Sequence, residues 1–369
     1  MRRRRKSARF VVLCRFIAHN LRITHKRQTR SHKKAKIPTT AIGLSGSHLG
    51  RILRVLLNHA TVVISGTKLA SEIGTSRSEV WRLIQHLRKL GVNIAGHPAT
   101  GYSLKSMPDL LIPELLLPLL KGSMFSKHIQ HSYKIASTNN AALEAAAVGA
   151  PEGTVFLAEE QTAGRGRGDH SWHSERSSGI YCSVVLRPKL PPSDVLILTL
   201  AAGLAVHAAV QEMDPSLKPD LKWPNDLLLD RKKFCGILTE MNSEATQVRY
   251  VVVGVGINVN QTSFPAELQA IATSLRMCSG SEYSRLQLCG ALLKSLDREY
   301  RNLLENPGAR DSILRRFTER SSSVTGVRVH VDENGRFEGM TEGLDSRGFL
   351  QVRTAQGLRR VLSGMVTPK

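Results

Sequence analysis

Gln161-Thr162-Ala163-Gly164-Arg165-Gly166-Arg167-Gly168-Asp169-His170-Ser171-Trp172 alternates three glycines with two arginines. Glycine lets the backbone turn freely and approach a bound group closely, and a guanidinium can take two phosphate oxygens at once. The run therefore reads as a mobile, anion-binding loop. An exposed basic loop is the plainer alternative. It is not a P-loop, because no GxxxxGK[ST] occurs, and not a GxGxxG fingerprint, because Asp169 stands where the last glycine would.

Three further segments flank it. Ile135-Ala136-Ser137-Thr138-Asn139-Asn140 precedes an Ala-rich stretch, Ala141 to Val148. One hydroxyl suits the start of such a helix, and two hydroxyls followed by an amide can also grip a polar ligand. Downstream, Leu221-Lys222-Trp223-Pro224-Asn225-Asp226 runs through leucines to Asp230, then to Lys232, Lys233, Gly236 and Glu240. Pro-Asn-Asp reads as a turn between apolar strands, with lysines near the loops of a hairpin-like unit. A solvated strand end is the alternative for any one lysine. Last, Tyr250-Val251-Val252-Val253-Gly254-Val255-Gly256-Ile257-Asn258-Val259-Asn260 reads as a buried strand. Its glycines suggest close approach by a ligand, a bulge, or simple packing.

Residues 47–106 read as a winged helix-turn-helix. Leu49, Ile52, Leu53, Leu56 and Leu57 form one helical stripe, and Leu69, Ala70 and Ile73 a second, shorter one before Gly74. Ser76 and Glu79 have capping-box spacing at the start of a third helix. Its inner face is Val80, Leu83, Ile84, Leu87 and Leu90, and Gly91 stops it. Ser76, Arg77, Ser78, Trp81, Arg82, Gln85 and Arg88 make a face suited to phosphates and base edges in a major groove. Val92-Asn93-Ile94 and Tyr102-Ser103-Leu104 read as strands around the wing turn His97-Pro98-Ala99-Thr100-Gly101. A helical unit used only for packing or dimerisation is the alternative.

The rest of the chain sets bounds. Its 369 residues carry a net charge of +22, of which +14 lies in residues 1–46, +5 in 47–104 and only +3 in the remaining 265. The arm at 1–46 reads as a disordered basic extension. It either binds nucleic acid by counterion release, stays solvated, or reflects an over-extended start, the next methionine being Met107. Its Arg-rich, acid-free composition also mimics a transit peptide. Five cysteines without a CxxC pair argue against disulfides and zinc clusters and point to a reducing, cytosolic compartment. No metal site is read from the sequence. Apolar residues make up 41%, which excludes a wholly disordered chain. No apolar run is expected to reach membrane-spanning length, the nearest being Leu110 to Leu120, broken by Pro113, Glu114 and Pro118. Residues 107–125 read as a Pro-punctuated linker whose leucines pack on a neighbouring domain. Beyond 321, Val327–Val331, the turn Asp332–Gly335, Phe349–Val352 and Gly357 suggest a small β-barrel.

In order and spacing, the Gln161–Trp172 loop, the Lys222–Leu238 segment and Val253–Asn260 together resemble the three signatures of the biotin protein ligases. The winged helix resembles that of the bifunctional ligase/biotin operon repressor type, so the resemblance covers residues 48 to 369. The RRxxGG signature of lipoate ligases is absent. This resemblance implies an α+β chain: a winged helix-turn-helix, a mixed-sheet class II synthetase-like catalytic domain at 126–320, and an SH3-like β-barrel at 321–369. It implies that biotin and MgATP give biotinyl-5′-AMP and pyrophosphate. A lysine of a biotin carboxyl carrier domain, usually of acetyl-CoA carboxylase, then takes the biotinyl group. It also implies the roles. Ser137, Thr138, Asn139, Gln161 and Gly166 bind biotin. Arg165, Arg167 and Lys233 bind it as well and, with Lys222, are catalytic. Gly164, Trp172, Asn225, Asp226 and Asn258 bind the adenylate. Trp172 is equally readable as a structural aromatic. Operator DNA and, once the adenylate is bound, a second copy of the chain are the implied partners. A ligase with a non-functional DNA-binding domain, or a biotin-sensing regulator without transfer, are the alternatives.

Elementary chemistry agrees with these residues. A carboxylate is already nucleophilic at neutral pH, so activation needs cations and in-line placement rather than a base. The mixed anhydride product hydrolyses, so a loop should close over it. One departure stands out. Gly168-Asp169-His170 follows Arg167 where the repressor type often runs basic-Gly-basic, which bears on ligand-coupled dimerisation.

Overall fold

The computed structural model describes residues 48–59, 62–89, 91–97, 100–107, 109–168, 170–333 and 335–369. The basic arm, Leu90, Pro98 and Ala99 of the wing turn, Pro108, Asp169 and Asn334 lie outside them.

Three helices and a wing open the described chain: α1 (His48–Asn58), α2 (Gly66–Ile73), α3 (Arg77–Lys89), β1 (Asn93–His97) and β2 (Gly101–Ser106). The apolar stripes form one core, with Ile52, Leu53, Leu56, Leu69, Ile73, Val80, Ile84 and Leu87 buried. Gly74 ends α2 at φ 72°, a left-handed conformation that costs a glycine little. Only half of the expected capping box forms. Ser76 Oγ accepts from Glu79 N–H at 3.2 Å, but the Glu79 carboxylate turns to Arg82.

The connector is a strap rather than a free linker. Leu110 and Ile112 pack into the N-terminal core, while Leu111 between them packs into the next one. This two-residue alternation is that of extended chain held between two apolar surfaces. A short helix α4 (Pro113–Leu116) follows.

The central unit is a seven-stranded sheet, built from β3 (His128–Ser132), β4 (Thr154–Ala158), β5 (Gly179–Leu186), β6 (Asp220–Lys222), β7 (Asp226–Leu229), β8 (Lys232–Ser243) and β9 (Val248–Asn258). Their spatial order is β3-β4-β5-β9-β8-β7-β6, with only β3 and β4 parallel. The Ala-rich helix α5 (Thr138–Ala147) covers one face, its Ala142 and Ala146 meeting Phe156, Val185 and Val252. On the other face lie α6 (Leu196–Met213), α8 (Arg285–Glu305) and α9 (Ala309–Glu319), the short α7 (Leu275–Ser279) falling between β9 and α8 in the chain. Val251, Val253 and Val255 belong to that core and Val252 to the other, as period-two alternation requires.

The expectation about apolar runs needs correcting. Pro192–Met213 is 22 residues long and apolar enough to cross a membrane. A helix apolar on all sides is either a span or the centre of a core. Most of this one is buried within the fold, between the sheet and its neighbouring helices, so it serves as the core helix.

Five antiparallel strands finish the chain: β10 (Thr325–Asp332), β11 (Arg336–Leu344), β12 (Leu350–Thr354), β13 (Gly357–Val361) and β14 (Met365–Pro368), in the order β13-β12-β11-β10-β14. Their buried valines join the central core. The β11–β12 turn seats on it through Gly348 (φ 88°), where a Cβ would come 2.8 Å from Leu200 Cδ1, and Trp223 Nε1–H donates to the Gly348 carbonyl at 2.9 Å.

Candidate active site

The cavity opens between the start of α5, strands β5, β8 and β9, and the Gly-Arg loop. Ser137 caps α5, accepting from Asn140 N–H at 3.5 Å. Thr138 donates to Gln161 Oε1 from N–H (2.8 Å) and from Oγ1 (3.1 Å). Gln161 Nε2 in turn reaches Ser174 Oγ at 2.9 Å. Ser183 Oγ sits 2.6 Å from Asn139 Oδ1 and 2.8 Å from Thr138 Oγ1, and Asn139 Nδ2 donates to Leu238 O and Glu240 Oε2. Every amide and hydroxyl of this inner end is thereby oriented in advance, so a polar ring meets fixed donors and acceptors. Burial pushes the Cys182 thiol beside them up to about 12, which makes it a neutral wall at pH 7.

The two glycines of β9 are explained by close approach, and the approaching groups are side chains. A Cβ on Gly254 would lie 2.0 Å from Asn139 Oδ1, and one on Gly256 would lie 2.6 Å from the Trp172 indole. A Cβ on Gly236 of β8 would come 2.8 Å from the same ring. No bulge is involved, since β9 pairs with β5 without a register shift. The indole rests on this bare backbone with Lys233 Nζ 5.3 Å from its centroid, within cation–π range.

Arg165, Arg167 and Lys233 converge on the cavity, and each already holds a partner. Arg165 pairs in bidentate fashion with Glu240 (2.9 and 3.0 Å) and also donates to Asn140 Oδ1. Lys233 Nζ lies 2.7 Å from Asp226 Oδ1. Arg167 donates from Nη2 to the Ser363 and Gly364 carbonyls of the C-terminal sheet, at 2.8 and 3.2 Å. Burial pulls the Arg167 guanidinium below its usual range, while Asp226 and Glu333 act in the opposite direction. Within the loop the backbone pairs with itself. Gly166 N–H donates to His170 O and Trp172 N–H to Gly164 O, closing a small hairpin.

Not every expected residue joins in. Lys222 is half-buried on the edge strand β6 and does not line the cavity. Asn258 is buried and donates to Thr273 O, and neither it nor Gly164 nor Asp226 is among the lining residues. Asn225 does line the cavity, although its Nδ2 is spent on Ile237 O.

A profile of the Biotin/lipoate A/B protein ligase family matches residues 132–258, an HTH domain matches 49–103, and a Biotin protein ligase C terminal domain matches 325–366. The Bifunctional ligase/repressor BirA of Bacillus spizizenii is 37% identical over 305 residues, 81% of this chain and 92% of that protein. The chain belongs to the biotin protein ligase family. The Escherichia coli protein of the same name is 28% identical over 78% of this chain and 87% of its own length. Among solved structures, the biotin protein ligase of Aquifex aeolicus in complex with biotin and ATP is similar at 28% identity and a TM-score of 0.57. It covers 66% of this chain and 99% of that one. In the N-terminal unit, which the HTH domain matches, the face of α3 expected to suit DNA divides. Arg77, Ser78 and Trp81 are exposed and Gln85 is half-buried. Arg82 is exposed too but paired with Glu79 at 2.7 and 2.9 Å. Ser76 is occupied as the cap. Arg88 is a correction: its Nε and Nη2 both donate to Ile94 O (3.0 and 2.7 Å), so it holds the wing strand against α3 instead of facing a groove.

The sequence reading missed Glu240, Ser183 and a buried cluster behind the cavity. Glu240 carried a legible signal: it is the lone acid at the end of the apolar run Phe234–Leu238, opposite a loop of arginines. The cluster carried none. Glu159, fully buried just after β4, accepts from His131 Nε2 (3.0 Å) and Leu111 N–H (2.8 Å) and pairs with Arg285 Nη1 at 2.8 Å. Burial alone would raise its pKa, but the His131 hydrogen bond, the Arg285 charge and the Leu111 N–H more than offset that and hold it down at about 2.

Proposed function

We propose that this cavity joins biotin to ATP and then passes the biotinyl group to a lysine of a biotin carboxyl carrier domain. The supporting observation is the make-up of the lining: hydrogen-bonded hydroxyls and amides together with Arg165, Arg167 and Lys233, of which Arg165 and Lys233 are held by the carboxylates of Glu240 and Asp226. Thr138, Asn139, Gln161 and the cap Ser137 suit the ureido head of biotin. Arg165, Arg167 and Lys233 suit its carboxylate and the α-phosphate. The carboxylate oxygen attacks the α-phosphorus, a new P–O bond forms, and the bond to pyrophosphate breaks. In the second step the lysine amine attacks the acyl carbon and AMP leaves with the bonding pair. Mg²⁺ enters as MgATP. It favours phosphate and water oxygens, and no group of three His, Cys, Asp or Glu able to hold a metal occurs among the described residues.

The helix-turn-helix makes the chain a ligase/repressor, and the exposed Arg77, Ser78 and Trp81 are the side chains we assign to DNA. One recognition helix reads one half-site, so a palindromic operator calls for two copies; we therefore include ligand-promoted dimerisation in the reading. A cytosolic location accords with its substrates. The test is to mix the protein with biotin, ATP, Mg²⁺ and a carrier domain and to follow the carrier mass. Addition of one biotinyl group is expected, and an unchanged mass overturns the ligase reading. DNA affinity at fixed salt should rise when biotin and ATP are present, and equal affinity would leave a ligase with an idle DNA-binding domain.

A further inference from the structure

The Gly-Arg loop leaves the sheet at Glu159 and returns at Gly179, and both ends are tied to one buried cluster. Glu159 O accepts Ser177 N–H at 2.9 Å, and Glu159 Oε2 takes Ser177 Oγ at 3.3 Å. Arg285, 1% exposed, pairs with Glu159 through Nη1 and donates from the same atom to Gly179 O at 3.0 Å. The opposite side of the cluster belongs to the connector. Asp109 takes the Arg285 N–H and the Leu286 N–H at the start of α8, its carbonyl takes Arg285 Nη2, and Leu111 N–H enters the Glu159 carboxylate. Flanking Leu110 and Ile112 are anchored in the DNA-binding core. A guanidinium and a carboxylate buried together have few alternative arrangements, because any partner lost leaves a desolvated charge.

We infer that Asp109 is a positioning residue for the ligase reaction: acting through Arg285 and Glu159, it holds the base of the Gly-Arg loop and ties loop closure to the seating of the DNA-binding unit. Such a link is reciprocal, so ligand that closes the loop also firms the connector. The catalytic consequence rests on the ligase reading, but the structural one does not. Hydrogen exchange of the full chain without ligand therefore tests it separately. Asp109→Ala should speed exchange at the Trp172 and Ser177 amides about tenfold while β9 and α5 keep their protection, and Asp109→Asn, which keeps one acceptor oxygen, should fall between. Asp109→Ala and Ser177→Ala together should be less than additive at Trp172. Unchanged loop exchange, uniform loosening of the whole chain, or strict additivity each overturns the inference. In the transfer assay, Asp109→Ala should leak biotinyl-AMP into solvent and raise the KM for biotin more than it lowers kcat. A wild-type chain that transfers no biotin would sink the ligase reading and leave the exchange result standing.

Discussion

Arg165 and Glu240 meet as a fork on a fork, two nearly parallel N–H···O bonds of 2.9 and 3.0 Å across the mouth of the cavity. The cation that the signature offers to an anionic ligand is thus already neutralised by a strand residue. The pair is about one-third exposed on the arginine side, so it holds the loop with modest strength, on the order of 1 kcal/mol. A pair of that strength can hold the loop over a bound adenylate and still give way when the loop opens. Glu240→Gln should raise the rate at which free biotinyl-AMP escapes by about fivefold, as should Arg165→Ala, and their combination should add little. Release measured against a trapping carrier checks this, and unchanged escape rules that role out.

The indole seat gives a sharper steric prediction. Gly256→Ala places a methyl 2.6 Å from Trp172, and no neighbouring flexible chain end can yield instead. The ring must leave its seat, which shifts Trp172 emission to the red and weakens biotinyl-AMP retention at least about tenfold, with a stability loss of about 1–3 kcal/mol. Pairing it with Trp172→Phe, a smaller ring, should recover part of that loss in thermal denaturation. A fully stable Gly256→Ala with unshifted emission would contradict the seat.

Acid sensitivity follows from Glu159. Its carboxyl is held at about 2 in the fold, below the ordinary value of 4.5. The unfolded chain therefore takes up this proton first as pH falls, and the stabilisation, present in full above about 4.5, drains away toward 2. Its size is on the order of 3 kcal/mol. Denaturant midpoints recorded from pH 6 to 2.5 should fall steeply for the wild type. Glu159→Gln should begin lower and fall less over that window, and parallel curves would show that the carboxylate contributes no such linkage.

How much of this was legible in the sequence depends on the range of the interaction. Local signals were sound: the stripes of α1 and α3, Gly74 as a helix stop, Ser137 as a cap, and the alternation of β9 all follow from neighbours within a turn or two. The three signatures placed Arg165, Arg167 and Lys233 around one cavity. What failed involved partners distant in sequence. Arg88 sits on the polar face by periodicity, yet the wing strand folds back and supplies the Ile94 carbonyl. Lys222 shares a motif with Asn225, yet falls on the outermost strand. His131, Glu159 and Arg285 lie on β3, after β4 and on α8, and nothing in their own surroundings announces a charge cluster. Helix α6 escaped notice because alanines, glycine and His207 dilute its apolar run while the fold buries it regardless.

The division of the recognition face allows a test in which two arginines of one helix behave differently. Arg77 is exposed and free to neutralise a phosphate, whereas Arg88 spends two donors on one carbonyl and is partly buried. Arg77→Ala should lower operator affinity and reduce the slope of log K against log salt by about one, because one counterion fewer is released. Arg88→Ala should keep the slope. Its cost is structural, about 1–2 kcal/mol for an orphaned carbonyl and a loosened wing, visible as earlier unfolding of the N-terminal unit. Titrations across salt, run beside thermal melts, separate the two. If Arg88→Ala flattens the salt dependence as Arg77→Ala does, the Ile94 bond is exchanged for DNA on binding and the assignment of Arg88 to the wing fails.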